Sequence, residues 1–327
     1  MSAPEALPVL AENLNLESHS IDTRLAIPVF EKSFDAMGCK VKVLIMANSE
    51  ELLEKAVERI HHLDQIWSRF RADSEISRLN LAEGASVEVS PETSRLVEAM
   101  IWAQDMTEGV FDATVLPILV ENGYRNSRVN AELETVLPDS ATWPGNLKAT
   151  ELDGNRMKLA RGTVIDSGGL GKGLAADLVV SGLMAGGAAS ALVQIGGDLR
   201  FEGIPPSAEK WLIGIENPFD TESNRSVLKI KNGAVCTSSA LKRLLKNDPA
   251  IAHHLIDPAS GSSMNSSVAT VSVVAPTALE AEIATKPGFV WDKRKYLDWI
   301  SGLGFAAELV FKDQSSESTE TWRTYLD

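Results

Sequence analysis

In the first clearly patterned stretch, Val41, Val43 and Ile45 alternate with polar or weakly apolar neighbours, and that period of two predicts a half-buried strand. The period then lengthens. Leu52, Leu53, Ala56, Val57, Ile60, Leu63, Ile66 and Trp67 recur at helical spacing behind Ser49, which is placed to cap a long helix. Ser90-Pro91 marks another helix start, with Leu96, Val97, Met100 and Ile101 on its inner face. Residues 122–150, rich in Asn, Pro, Ser and Thr, predict an irregular connection. Next come a strand ending near Ile165, a glycine turn at Ser167–Gly173 and a helix over Leu174–Met184, stopped by Gly186-Gly187. Ala191–Ile195 and Trp211–Ile215 read as strands. Asn232-Gly233, between Val227–Ile230 and Ala234–Cys236, reads as a hairpin. Val268–Val274 predicts a further strand, and Thr277-Ala-Leu-Glu280 a capping box opening a helix that Pro287 ends. A helix near Lys293–Ile300 and a strand at Ala306–Phe311 close the pattern.

Helices and hairpin-joined strands without a βαβ period predict an α+β fold: one domain over residues 29–327, with mixed, largely antiparallel sheets and packed helices. Residues 1–28 are acidic and aperiodic and predict a loose arm.

A formal net charge of −14 argues against nucleic acid, which needs a dense basic stripe. An anionic ligand would need a local site of backbone N–H groups, a lysine or a metal. The two cysteines, Cys39 and Cys236, have no metal or disulfide spacing, and a reducing compartment fits them. The N-terminus lacks a basic stretch followed by an apolar core, and the apolar run from Leu178 to Val193 is broken by Ser and Gly. A cytoplasmic protein without membrane insertion is expected.

The richest chemistry lies in VIDSGGLGKGLAAD, residues 164–177, where Asp166 meets a turn of small residues and Lys172 stands at a helix start. Backbone N–H groups and an ammonium aimed at one spot suit a phosphate or diphosphate; the alternative is a glycine turn that only lets a helix pack on a sheet. Gly173 occupies the place of the magnesium-binding hydroxyl of a Walker loop, and the glycine spacing is not that of a Rossmann fingerprint. Gly196-Gly197-Asp198 after a strand would let a ligand approach the backbone, or simply turn a hairpin. Thr237-Ser238-Ser239 places hydroxyls at a strand end. In HHLIDPASG, His253 and His254 precede Asp257; adjacent strand residues face opposite ways, so one histidine facing a site suits better than a metal pair. In GVFDATVLP, Asp112 and Thr114 sit at a helix exit, where the carboxylate alone reads as a local cap. His61 and His62 read as surface residues.

Taken in order, FDAMGCKVKV, WSRFRADSEISRLN, GVFDATVLPIL, DSGGLGKGLAAD through IGGDLRFEG, AVCTSS, HHLIDPASG and ALEAEIATK resemble the ApbE-like FAD:protein FMN transferases, from about Phe30 to Phe311. The resemblance implies an FAD site. Met37 and Gly38 would approach the flavin, and Phe70 would stand where many members have a stacking Tyr. Phe111 and Asp112 would lie against the nucleotide, with Asp166 and Lys172 flanking the diphosphate. His254, Ile256 and Asp257 would close the other side. It further implies Mg2+, held by the Gly169 carbonyl and by an Asp with a Thr four residues on. At that spacing stand Glu282 and Lys286; a shift of one residue restores Thr285 but sets Ala281 at the Asp. The unshifted match keeps a carboxylate, with the Lys286 ammonium supplying part of the metal's charge; the plain alternative for Glu282 and Lys286 is a surface ion pair. The implied reaction moves FMN from FAD onto a Thr or Ser of an acceptor, usually a respiratory or redox flavoprotein, with release of AMP. His254, Asp257, Glu282 and Lys286 are the catalytic candidates. Binding of FAD without turnover, and FAD hydrolysis to FMN and AMP, are the alternatives.

Overall fold

The computed structural model describes residues 27–127, 129–241, 256–264 and 266–326. The arm expected over 1–28 lies, but for its last two residues, outside them. Eight strands form one sheet: β1 (Val29–Ala36), β2 (Cys39–Met46), β3 (Ser190–Ile195), β4 (Asp198–Gly203), β5 (Gly233–Ser239), β6 (Val268–Ala275), β7 (Ala306–Phe311) and β8 (Ser316–Ser318). They lie side by side in chain order, and every pairing is antiparallel. The helices are α1 (Glu51–Trp67), α2 (Glu75–Leu81), α3 (Pro91–Met106), α4 (Leu116–Glu121), α5 (Gly171–Ala185), α6 (Ala278–Ala284), α7 (Lys293–Gly302) and α8 (Glu320–Thr324). The expected α+β class is borne out.

Strand alternation sets one core on each face of the sheet. Val271, Val273 and Ala275 of β6 join a large core with α1, α3, α5 and α6, while Val274 joins a second core on the opposite face. That second core is capped by a hairpin of Trp211–Asn217 and Asp220–Ile230 and by Trp322 of α8. All eight residues of β6 are therefore buried. At about 1.5–3 kcal/mol for each large apolar side chain removed from water, two covered faces fix the register firmly.

Two of the three capping expectations hold. Ser90 accepts from the Thr93 N–H at 3.2 Å at the start of α3, and Thr277 with Glu280 forms a complete capping box on α6. Ser49 accepts from Glu51, one residue outside the α1 cap at Glu50. His61 and His62 are exposed, as expected.

Two further expectations fail. Asn232-Gly233 is not a hairpin: the strand before it pairs with Trp211–Asn217, whereas β5 pairs with β4 and β6. The turn is a corner between sheets, held where the Asn232 side chain accepts from the Gly203 N–H at 2.9 Å. Nor does a strand end at Ile165. Its N–H and C=O pair instead with the Asn80 amide, at 2.8 and 2.9 Å, a side chain standing in for a neighbouring strand.

Candidate functional site

The turn between β1 and β2 holds Met37 at φ 52° and Gly38 at φ 70°, and the turn between β3 and β4 holds Gly196 at φ 62°. Ala36 pairs with Cys39, Ile195 with Asp198, and Asp198 with Cys236. Those registers bring Met37-Gly38, Gly196-Gly197 and Thr237-Ser238 to one end of the sheet. The Gly196 N–H donates to Lys40 O at 2.9 Å, fastening the first two turns together.

Along β5 the side chains alternate. Thr237 pairs its hydroxyl with Ser272 on β6 at 2.8 Å, while Cys236 and Ser238 turn toward α6: Cys236 Sγ reaches Ala278 O at 3.4 Å, and Ser238 Oγ lies 2.7 Å from Thr285 Oγ1. Of the three hydroxyls singled out in the sequence, Ser238 therefore faces the charged cluster, while Ser239 accepts from the Leu241 N–H at 3.1 Å.

That cluster forms where α5 begins and α6 ends. Lys172 donates to Asp198 and, at 2.7 Å, to Glu282 Oε1; the Gly173 N–H donates to Glu282 Oε2 at 2.7 Å. Gly173 makes this approach possible, because a methyl group there would lie 2.4 Å from Ala278 O. Glu282 is 2% exposed, so its reading as half of a surface ion pair is overturned: it is buried against α5. Lys286, just past α6 and partly exposed, donates to Ser238 Oγ at 3.0 Å and Thr285 Oγ1 at 3.2 Å. The helix amides expected to cradle an anion are largely committed, with Gly171 donating to Ser167 O, Gly173 to Glu282 and Leu174 to Leu170 O.

Burial works against the charge on Lys172, yet Asp198 and Glu282 outweigh it and hold the ammonium above the ordinary lysine range. Burial raises Asp198. It would raise Glu282 as well, but Lys172 and Lys286 bring that carboxyl below its usual value. Lys286 is lowered by burial and by Lys172, against the pull of Glu282.

A wall flanks this cluster. Asp166 donates its N–H to Ala113 O at 2.9 Å, joining the glycine turn to the GVFDAT segment. Gly169 packs on the Phe111 ring, with no room for a methyl group, which would sit 2.7 Å from Phe111 Cε2. Asp112 accepts from Thr114 (N–H and hydroxyl, 2.8 Å each) and from Trp143 Nε1 at 3.2 Å; the Trp143 ring abuts Gly261. Asp112 is thus more than a local cap, since it ties this wall to the segment bearing Ile256 and Asp257. Ile256 is buried, and Asp257 turns its own loop by accepting from Ala259 N and Ser260 Oγ. His253 and His254 lie outside the described residues.

Asp166 pairs with Arg69, Nε to Oδ1 3.4 Å, and the Arg69 guanidinium stacks over Phe70 at 4.3 Å. Arg69 also donates to Thr135 Oγ1 and Tyr124 O. Sequence reasoning missed this arginine, although it stood beside Phe70 in a quoted motif. It missed Asp177 and Arg200 too. Asp177 accepts from the Ala278 and Leu279 N–H groups, 2.8 Å each, and pairs with Arg200 at 3.3 Å, clamping the start of α6 to α5. Burial pushes Asp177 up to about 6, against these three partners. The usable signal was that α6 needs acceptors for its first N–H groups beyond its capping box.

The positions that the resemblance assigns to Mg2+ do not fit a divalent ion. Both Glu282 oxygens already accept N–H donors, and an ammonium stands at the hydroxyl position. No group of three or more His, Cys, Asp or Glu poised for a metal occurs among the described residues.

The ApbE family model matches residues 37–309. The FAD:protein FMN transferase of Haemophilus influenzae is 25% identical over 288 residues, covering 85% of this chain and 83% of that protein. That of Escherichia coli K12 is 25% identical over 282 residues, covering 84% and 80%. The crystal structure of the ApbE protein of Thermotoga maritima superposes with a TM-score of 0.81 at 26% identity, covering 92% of this chain and all of that one. The flavin transferase ApbE of Vibrio cholerae shares the fold, with a TM-score of 0.76 at 22% identity, covering 92% and 100%. With the matched stretch spanning most of its length, this chain belongs to the ApbE family.

Proposed function

We propose that this chain transfers FMN from FAD to a threonine or serine hydroxyl of an acceptor protein and releases AMP. Family membership and the relatives' activity support the reaction class. One observation carries the reading to this chain's own residues. Two strand-end turns and the Thr237-Ser238 end of β5 lie at one end of the sheet, where β5 meets the end of α6 at a lysine whose direct partners among the described residues are uncharged.

In this reading Met37-Gly38 and Phe70 approach the flavin, and Phe111 and Asp112 wall the nucleotide. Gly196 and Gly197 let the ligand lie close to the backbone, while Asp166 stands beside the diphosphate and Ile256, Asp257 and His254 close the other side. Lys172 acts at one remove, holding Asp198 and Glu282 and so fixing α5 against α6. The acceptor oxygen bonds to the FMN phosphorus as the bond from that phosphorus to the bridging oxygen breaks. AMP leaves with the electron pair, and the hydroxyl proton ends on its phosphate or in solvent. Such a transfer depends on alignment and on neutralising phosphoryl charge more than on covalent help. Mg2+ has no step in this scheme, and the acceptor is a redox or respiratory protein.

The test is to incubate the chain with FAD and an apo redox protein that carries FMN on a threonine phosphoester, then to separate nucleotides by chromatography and weigh the acceptor by mass spectrometry. AMP should form in step with acceptor-bound FMN. Intact FAD, with or without added magnesium, would refute the reading; AMP with free FMN alone would make the chain a hydrolase.

A further inference from the structure

Two lysines reach the cluster, and their surroundings differ in kind. Lys172 lies between two carboxylates, its charge matched where it stands. Among the described residues, Lys286 donates only to hydroxyls. The direction of each bond in that small network follows from the acceptors available. The Thr285 hydroxyl donates to Glu282 O at 2.7 Å, so its oxygen can only accept from its other neighbours, Lys286 and Ser238. Ser238 in turn donates to Thr285 and accepts from Lys286. The Thr285 hydroxyl is then saturated, with one proton given and two lone pairs taken, and it has no lone pair left for a metal.

The ammonium is different. It has three N–H bonds, and among the described residues Ser238 and Thr285 account for two. Thr285 is fully buried, whereas Lys286 is partly exposed. The formal charges of Lys172, Lys286, Asp198 and Glu282 cancel. A divalent cation would meet two ammonium groups and two carboxylates already engaged, whereas a diphosphate would meet an ammonium with bonding capacity to spare.

Resting on the transferase reading above, we propose that the Lys286 ammonium is the cation this site presents to the diphosphate of FAD, in place of a divalent metal, so that FAD is bound and cleaved without magnesium. The residue is catalytic in the strict sense, since its N–H groups would touch the phosphoryl oxygens on which charge accumulates.

Equilibrium binding of FAD, followed by flavin fluorescence in excess EDTA and in millimolar MgCl2, tests this without depending on turnover. The wild-type dissociation constant should agree between the two conditions within about twofold. Lys286→Met should weaken binding about tenfold to a hundredfold in both, the loss expected for one charge-assisted hydrogen bond, and Lys286→Arg should recover part of it. Mn2+ added to the wild-type protein with FAD should keep the electron paramagnetic resonance spectrum of the free ion. With the apo acceptor present, AMP release should persist in EDTA. Tightening of wild-type binding by about tenfold or more with Mg2+, or an immobilised Mn2+ spectrum, would overturn the proposal and leave the transferase reading intact. Lys286→Met binding FAD like wild type would do the same. Failure to bind FAD under any condition would remove both.

Discussion

Replacing Lys172 by methionine removes the one charge standing between two carboxylates that are 5% and 2% exposed. Taking one partner from a buried ion pair costs about 3–5 kcal/mol, because the remaining charge is left without water or a counter-ion. Here two carboxylates lose the same partner, and only the Gly173 N–H and the nearby Lys286 offset the loss. At about 2–4 °C per kcal/mol for a large domain, Lys172→Met should melt about 6–20 °C below wild type. The deficit should shrink as pH falls from 7 toward 5, since the stranded carboxylates then take up protons more readily in the folded state than in the unfolded one. Replacing all three, as Lys172→Met with Asp198→Asn and Glu282→Gln, should return most of the lost stability, because neutral amides of similar shape cost far less to desolvate than unpaired charges. Thermal unfolding by circular dichroism at pH 5, 6 and 7 reads each of these outcomes. A single variant that melts within about 2 °C of wild type at pH 7 would refute the argument.

Gly173→Ala should destabilise the fold by about 1–3 kcal/mol or more, read by urea unfolding, because the new methyl group meets a backbone carbonyl that cannot swing aside. Asn80→Ala should cost about 2–5 kcal/mol in the same assay, by orphaning both the N–H and C=O of Ile165, which is fully buried. The native carboxyl of Asp177 titrates near 6, above its ordinary 3.8, so the unfolded chain releases that proton first as pH rises. The stability of wild type relative to Asp177→Asn should therefore fall as pH climbs from about 4 through 6, by on the order of 3 kcal/mol, and level off above about 7 in urea melts. A difference that grew with pH would show that the Arg200 pair and the helix N–H groups dominate over burial instead.

Local chemistry was legible wherever the partner groups were close in sequence. The capping box at Thr277 and Glu280, the Ser90-Pro91 start and the strand at Ala306–Phe311 rest on contacts within a few residues, or on a period that one buried face enforces. The turn at Gly196-Gly197 was readable for the same reason, since two glycines follow directly on an apolar strand. What failed depended on distant partners. Asn232-Gly233 has hairpin composition, but whether the flanking strands pair with each other depends on Trp211–Asn217 and β4 competing for them. Glu282 and Lys286 have the spacing of an exposed pair, and only the packing of α5, 110 residues away in the chain, buries the carboxylate. The amide of Asn80 carried no mark that it would stand in for a strand beside Ile165. Asp177 looked like one more polar residue on a helix until the N-terminus of α6 was set against it.

The pairing of β2 with β3 joins Val41 to Ile195 across a long excursion that contains five helices. A chain emerging from the ribosome has therefore made the first hairpin well before its inner neighbour exists, and β2 presents an open row of amides and carbonyls until Ser190–Ile195 arrives. Lys40 and Lys42, alternating along that row, are suited to discouraging premature partners. Closing so long a loop before it is rewarded by contacts makes assembly of the sheet slow compared with its helices. The Gly196-Gly197 corner, whose Gly196 N–H is held by Lys40 O, can then take its place only once the chain has been synthesised past its middle.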